Sequence, residues 1–429
     1  MTSVDPAARP RESGPAEVGI SRALTWLLAV ACGVSAANLY YAQPLLSTLA
    51  HDFHVGTGTA GLIVTASQVG YAVSLAFVVP LGDILERRTM VIALASLSVV
   101  ALLAAAASPN VGVLIALSAL IGISATVAQT LVPLAASLAH DPERGRVVGR
   151  VMSGLLTGIL LARTVSGLIA NVAGWRAVYI TAAGLEVVLI AVLSRALPRE
   201  RVARESMSYL RLLRSLGDLV LHEPLLIWRT VLGALAFACF GILWTTLAFL
   251  LRGSPYHYSD GVIGLFGLVG AGGAVAATFA GRAADRGHVR LASFVFAASI
   301  LVSFGLLALG RHDLTALIVG IVLLDIGVQG LQVNNQSVIY EIAPNARSRI
   351  NGVYMTGYFI GGAVGSALAS AIYETSGWSG VCILGAATSA IATVAAAFRG
   401  PADHLSSMRP RRHTAIAMSQ EVKNSPTMP

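Results

Sequence analysis

Lysine is almost missing from this chain: among 429 residues only Lys423 carries an ammonium group, and charged residues of all kinds make up 12%. Soluble proteins carry about 25%, so a chain this poor in charge cannot clothe an ordinary water-facing surface. Cysteine is scarce as well. Cys32, Cys239 and Cys382 are an odd number, fall inside apolar runs and lack metal-ligand spacing, which argues against a disulfide framework. The ten-residue alternation of a transmembrane β-barrel is also absent. "GAGGAV" at 270–275 follows no strand, so it is not read as a nucleotide loop, and "HDFH" at 51–54 offers two histidines without a third ligand. Neither a catalytic pair of nucleophile and base nor a metal constellation is found. An enzyme is not expected.

What is present is apolar length. Hydrophobic residues make up 55% of the chain, and runs of about 20 of them, enough to cross a ~30 Å hydrocarbon core as a helix, recur from end to end. Twelve spans are predicted, near 24–46, 60–80, 89–107, 112–138, 149–172, 177–197, 225–251, 260–281, 290–309, 314–340, 350–373 and 379–398. Continuous apolar runs satisfy every backbone group inside lipid only as helices, so the expected fold is an all-α membrane protein. The predicted organisation is a tail over 1–22, a six-helix half over 23–197, a connection over 198–224, a second six-helix half over 225–399 and a tail over 400–429.

The net charge of +8 comes from arginine and follows topology, not a nucleic-acid face. Arg22, Arg87, Arg88, Arg144, Arg146, Arg199, Arg201, Arg282, Arg286, Arg347, Arg349 and Arg399 fall on one side of a twelve-span chain; Arg176, Arg252 and Arg311 fall on the other. The positive-inside rule then places both termini in the cytoplasm of a multi-pass protein.

The two halves repeat. "GDILERR" at 82–88 is echoed by "GRAADRG" at 281–287, an offset of 285 − 83 = 202. "GRVMSGLLTGILLARTVSG" from Gly149 matches "GVYMTGYFIGGAVGSALAS" from Gly352, and Trp175 matches Trp378, an offset of 378 − 175 = 203. Two unrelated landmarks with nearly equal offsets indicate a duplicated unit.

These features resemble the major facilitator superfamily, whose signature after the second span is close to G-x-x-x-D-R-x-G-R-R. Asp83, Arg87 and Arg88 match it in the first half, with Val79 and Glu86 in place of its glycines; Gly281, Asp285, Arg286 and Arg290 match in the second. "NLYYAQPLL" at 38–46 is similar to the first span of bacterial drug/proton antiporter-like members. The resemblance covers about residues 20–400 and implies twelve transmembrane helices in two pseudo-symmetric halves, a monomer, and a cytoplasmic gate. In that gate Asp83 would meet Arg349 at the start of span 11, and Asp285 would meet span 5 near Arg146. Arg87 and Arg88, read from their charge alone, can equally act only as topology determinants. The span 5 antiporter signature is kept at Gly149, Gly158 and Gly167, whereas Ala162, Arg163 and Ser166 depart from it, and the group's span 4 arginine falls on Ser118.

An ionisable group inside a span costs at least ~2.5 kcal/mol, so Arg163, Glu186 and Asp325 are functional candidates. Asp325 and Glu186 are the proton-coupling candidates; the alternative for Glu186 is a fixed ion pair with Arg163. Asp325, Gln329, Gln332 and Gln336 recur at helical spacing and share a face, and Gln129 is the counterpart of Gln332 (332 − 129 = 203). With Asn38, Tyr41, Trp244, Tyr354 and Tyr358 they form the expected substrate-binding set, aromatic and amide groups that suit a semi-apolar molecule. Tyrosine near a span end can instead anchor the membrane interface.

The expected function is secondary transport of a small organic molecule in a bacterial cytoplasmic membrane. Alternating access would be driven by a proton gradient without a cofactor, in the direction of export. Uptake of a metabolite or organic anion by symport or uniport is the alternative. A non-transporting membrane sensor or scaffold is the reading from another class.

Overall fold

The computed structural model describes residues 20–140, 143–198, 208–270, 289–342 and 347–398, with the backbone alone for Asp83. Helix is the regular secondary structure found among these residues. In order the helices are α1 (Arg22–Ala37), α2 (Leu46–Asp52), α3 (Thr57–Val73), α4 (Arg87–Ala106), α5 (Val111–Ser124), α6 (Val127–Leu138), α7 (Arg144–Ala173), α8 (Trp175–Ala196), α9 (Tyr209–His222), α10 (Pro224–Arg252), α11 (Asp260–Val269), α12 (Val289–Leu309), α13 (Leu314–Ile339) and α14 (Arg347–Ala397). We call the end that carries α9 the linker end and the opposite end the far end.

Nine helices among the described residues are long and apolar enough to cross a membrane, so the twelve-span count is not reproduced helix for helix. α14 runs through two predicted spans and breaks only at Gly377, whose φ of 61° is one that glycine adopts without strain. The eighth span is described only as the short α11.

The first span corrects the expectation of one continuous helix over 24–46. α1 stops at Ala37, residues 38–42 form turns, Gln43–Leu45 is a 3₁₀ turn, and α2 resumes at Leu46. Pro44 has no N–H to donate and disfavours the α conformation in Gln43 before it. Ser166 makes use of the break, its hydroxyl donating to the Tyr41 carbonyl at 3.0 Å. Two further spans are irregular. α3 passes into a π-turn at Ser74–Val78 and a 3₁₀ turn at Val79–Asp83. The fourth span divides between α5 and α6, where Thr126 faces Ser74 with 2.7 Å between the hydroxyl oxygens.

Each half packs in the same way. α7 lies on α1 and α14 lies on α10, and glycine makes both contacts close. A side chain at Gly154 or Gly158 would overlap the backbone of Ala29 or Gly33; at Gly357 or Gly361 it would overlap Thr230 or Ala234. Small residues supply this approach because lipid gives no hydrophobic drive between helices. The halves meet along two seams, α3 against α14 and α7 against α11.

Both seams are fastened at the far end. The Thr48 hydroxyl lies 2.8 and 2.7 Å from the carboxylate oxygens of Asp260, which Arg252 approaches to 3.6 Å. The Gly58 N–H donates to Glu374 at 2.8 Å, and Gly61 seats Ser370 where a side chain would stand.

Candidate substrate and proton site

Arg163 sits at the level where α1 ends and is 3% exposed. Its Nε donates to Gln43 Oε1 at 2.6 Å, and its guanidinium carbon lies 3.9 Å from the ring centre of Trp244, 4.9 Å from Tyr40 and 5.4 Å from Phe240. A desolvated cation over an aromatic face gains about 2 kcal/mol or more. One well-placed ring with its neighbours therefore approaches the ~2.5–3.5 kcal/mol insertion penalty, and the charge of Asp325 beyond Trp244 adds to what holds Arg163 without a direct ion pair. Among the described residues its Nη2 has no hydrogen-bond partner.

Trp244 connects this cation to the second half. Its face lies on Arg163 and its Nε1–H donates to Asp325 Oδ1 at 3.2 Å. Asp325 is 4% exposed, and its other oxygen points at Gly270, where a side chain would overlap it. The run Asp325, Trp244, Arg163, Gln43 thus crosses from α13 and α10 in the second half to α7 and the broken first span in the first.

Glu186 does not take the alternative arrangement of an ion pair with Arg163. Its Oε1 accepts from Asn38 Nδ2 at 2.8 Å, and the same amide reaches Ser98 at 3.1 Å. No ion pair joins Glu186 to Arg163. The reason is the interruption after Ala37, which turns Asn38 toward α8 while Gln43, one turn further on, meets Arg163.

The remaining predicted ligands form two groups. Tyr354 and Tyr358 are buried on α14, with Tyr358 stacked on Phe237 at 4.2 Å and donating to Gln332 at 3.2 Å. Gln336 donates to Asn351 at 3.2 Å, and Gln329 is half-buried on the same helix. On the first-half side Gln129 donates to the Tyr71 hydroxyl at 3.0 Å, and the Tyr71 ring meets Phe359 across the seam at 4.3 Å. Tyr41 is buried and contributes its carbonyl to Ser166.

Tyr71, Phe237 and Asn351 do not stand out as ligands in the sequence, because none is charged and none belongs to a repeated polar motif. Arg229 does not stand out either. It is 8% exposed in α10 and donates to Ser293 at 2.9 Å and Asn335 at 3.3 Å, and Asn335 reaches Tyr354 at 3.5 Å. It lies within one turn or so of the start of the predicted span 225–251, where a basic residue is ordinary.

At the linker end the predicted gate is only partly within view. The Asp83 side chain, Asp285 and Arg286 lie outside the described residues. Arg87 donates to Ser137 at 3.1 Å and Arg88 to the Ser194 carbonyl at 2.5 Å, near the C-terminus of α8 where a cation is favoured. Arg290 repeats the second contact on Ala397. Arg146 pairs locally with Glu143, and Arg349 donates to Ser215 of α9 at 3.4 Å.

A helical membrane bundle of two like halves, with buried polar groups concentrated where they meet, defines a membrane transporter. The chain belongs to the Major Facilitator Superfamily, whose model matches residues 28–311 and 235–427. It is 46% identical over 367 residues to the putative uncharacterized transporter YgaY of Escherichia coli, covering 86% of this chain and 93% of that one. It is 37% identical over 398 residues to the probable transporter SCO4007 of Streptomyces coelicolor, 92% of each chain. Its fold is similar to that of a single-site mutant of the nucleoside transporter NupG, with a TM-score of 0.71 at 14% identity over 87% of this chain and 98% of that one.

Proposed function

We propose that this transporter exports a small, partly apolar organic molecule in exchange for protons across a bacterial cytoplasmic membrane, with both termini in the cytoplasm. The observation that carries the reading is the run from Asp325 through Trp244 to Arg163 and Gln43, which joins the two halves through groups sensitive to charge. A carboxylate can take up or release a proton, whereas an arginine cannot. A proton on Asp325 changes the field on the Trp244 and Arg163 side of the seam, and with it the balance between the two arrangements of the halves. The fastened far end belongs to the state closed toward the outside. The aromatic groups from both halves supply a face for an apolar ligand, and Gln129, Gln332 and Gln336 supply orienting hydrogen bonds.

Inverted membrane vesicles test this. With their interior acidified and a pH-reporting dye present, addition of a substrate is expected to dissipate the gradient, and Asp325→Asn is expected to abolish the response. A response undiminished in that variant removes Asp325 from coupling. A second reading is uptake of an organic anion, supported by the unpartnered Nη2 of Arg163. It is distinguished by accumulation in whole cells that Arg163→Gln removes.

A further inference from the structure

A cavity of about 410 Å³ lies at the linker end, away from the site above. Its size is within the ~300–1,000 Å³ of small-molecule sites. The walls come from both halves and from the connection between them: Leu75 and Val79 at the irregular end of the second span, Ile227 of α10, Val353 of α14, and Leu216 and Val220 of α9. None of Arg163, Trp244, Asp325, Gln129, Gln332 or Gln336 reaches it, so it is distinct from the transport site.

α9 is a strap over this cavity. Its Tyr209 hydroxyl donates to the Phe77 carbonyl of the first half at 2.7 Å, and Arg349 of the second half donates to its Ser215. The outer side of α9 leaves Leu210 and Leu221 77% and 78% exposed beside the exposed Arg211 and Arg214. Such a helix lies in the membrane interface, so the cavity is adjacent to the place where amphiphiles partition.

The lining fixes the chemistry of an occupant. Arg349 is the charged residue among it, half-buried, and among the described residues no carboxylate pairs with it. Thr230 and Thr356 spend their hydroxyls on their own helices at 2.7 Å, so apart from Ser348 beside Arg349 the rest of the wall is effectively hydrocarbon. We propose that this cavity binds a single-chain anionic amphiphile of the fatty-acid type, its head on Arg349 and its chain between α9 and the two halves. Because the occupant touches both halves, it favours the arrangement in which the cavity exists and so regulates the transport cycle.

Two glycines make the proposal testable with little risk to folding. A side chain added at Gly352 or Gly217, both in the lining, meets nothing within 4 Å. The full chain in phosphatidylcholine nanodiscs, titrated with a fluorescent C16 carboxylic acid, is expected to bind it saturably. Gly352→Phe and, separately, Gly217→Phe are expected to weaken binding at least tenfold while the protein elutes as the intact chain does. Arg349→Gln is expected to erase preference for the acid over the matching C16 alcohol. A photoreactive form of the acid should label α9 or Val353. Binding unchanged in both glycine variants, equal affinity of the intact chain for acid and alcohol, labelling confined to the Arg163 region, or displacement by two-chain phosphatidylglycerol but not by free fatty acid would each overturn the assignment. Since binding is read directly, a failed transport reading leaves this test intact.

Discussion

The two halves share their helix packing, and one exchange of residues between them shows how a buried charge is accommodated in a single copy. In the first half Gly122 of α5 faces Ser67 of α3 so closely that a side chain would overlap the Ser67 carbonyl. The duplicate positions are Asp325 and Gly270 (325 − 122 = 203; 270 − 67 = 203). There the glycine is on the other helix, and the space it leaves receives the carboxylate of Asp325. The skeleton around this exchange is constant: Gly154 and Gly158 recur as Gly357 and Gly361, and Arg88 recurs as Arg290, each arginine on the end of its half's last helix. A duplicated fold can thus carry a buried charge in one copy only, provided the glycine moves to the facing helix.

The largest effect is expected from forcing symmetry the wrong way. Gly122→Asp places a carboxylate on the Ser67 backbone, which cannot turn aside as a side chain can. Overpacking costs about 1–3 kcal/mol and a buried unpaired charge adds at least ~2.5 kcal/mol. Most of the folded protein should disappear from membranes by immunoblot and detergent gel filtration. Normal abundance would show that the contact is looser than the geometry makes it.

The converse change, Asp325→Asn, keeps the volume and the acceptor for Trp244. Abundance should stay near normal while gradient-driven transport falls to background and exchange of substrate persists. Accumulation against a gradient in this variant would sink the coupling role.

A smaller effect is expected in the first half. Arg163→Lys retains the charge but loses the planar stack on Trp244 and the Nε–H to Gln43, and the two cations are not interchangeable at such a site. Substrate affinity should fall about tenfold, equivalent to about 1.4 kcal/mol, in an equilibrium binding titration. Unchanged affinity would place the substrate away from Arg163.

How much of this was legible in the sequence depends on the range of the signal. Apolar length and the 203-residue offset are carried by many residues at once, so the helical halves and the Gly122/Asp325 mismatch could be read directly. The break after Ala37 had only Pro44 to announce it, and without the break Asn38 and Gln43 cannot be assigned to Glu186 and Arg163. The alternative reading of Glu186, an ion pair with Arg163, is not the arrangement found, because Asn38 takes the carboxylate instead. The far-end fasteners Thr48 with Asp260 and Gly58 with Glu374 join residues more than 200 apart in sequence. Nothing local in either partner marks such a contact.

The duplicated tryptophans give the smallest effect and the finest comparison. Trp378 donates its Nε1–H to the Leu307 carbonyl at 2.8 Å, a partner that does not titrate. Trp175 donates to the Asp52 carboxylate at 2.8 Å, with Arg176 at 3.1 Å. The Trp175 hydrogen bond, opposed by partial desolvation and aided by Arg176, holds Asp52 below the usual carboxylate range. A carboxyl group depressed in the folded state stabilises it above the unfolded value, near 3.9, and that contribution is lost as pH falls through the lower folded value. Because the pair is largely exposed, it is worth below about 1 kcal/mol. Asp52→Asn should therefore lower the thermal midpoint slightly at pH 7, and the difference from the intact chain should shrink toward zero as pH falls through the lowered value in the folded state, whereas Trp378→Phe should show a deficit independent of pH over that range. A gap for Asp52→Asn that widens on acidification would mean that the two tryptophan contacts do not differ in the way their partners require.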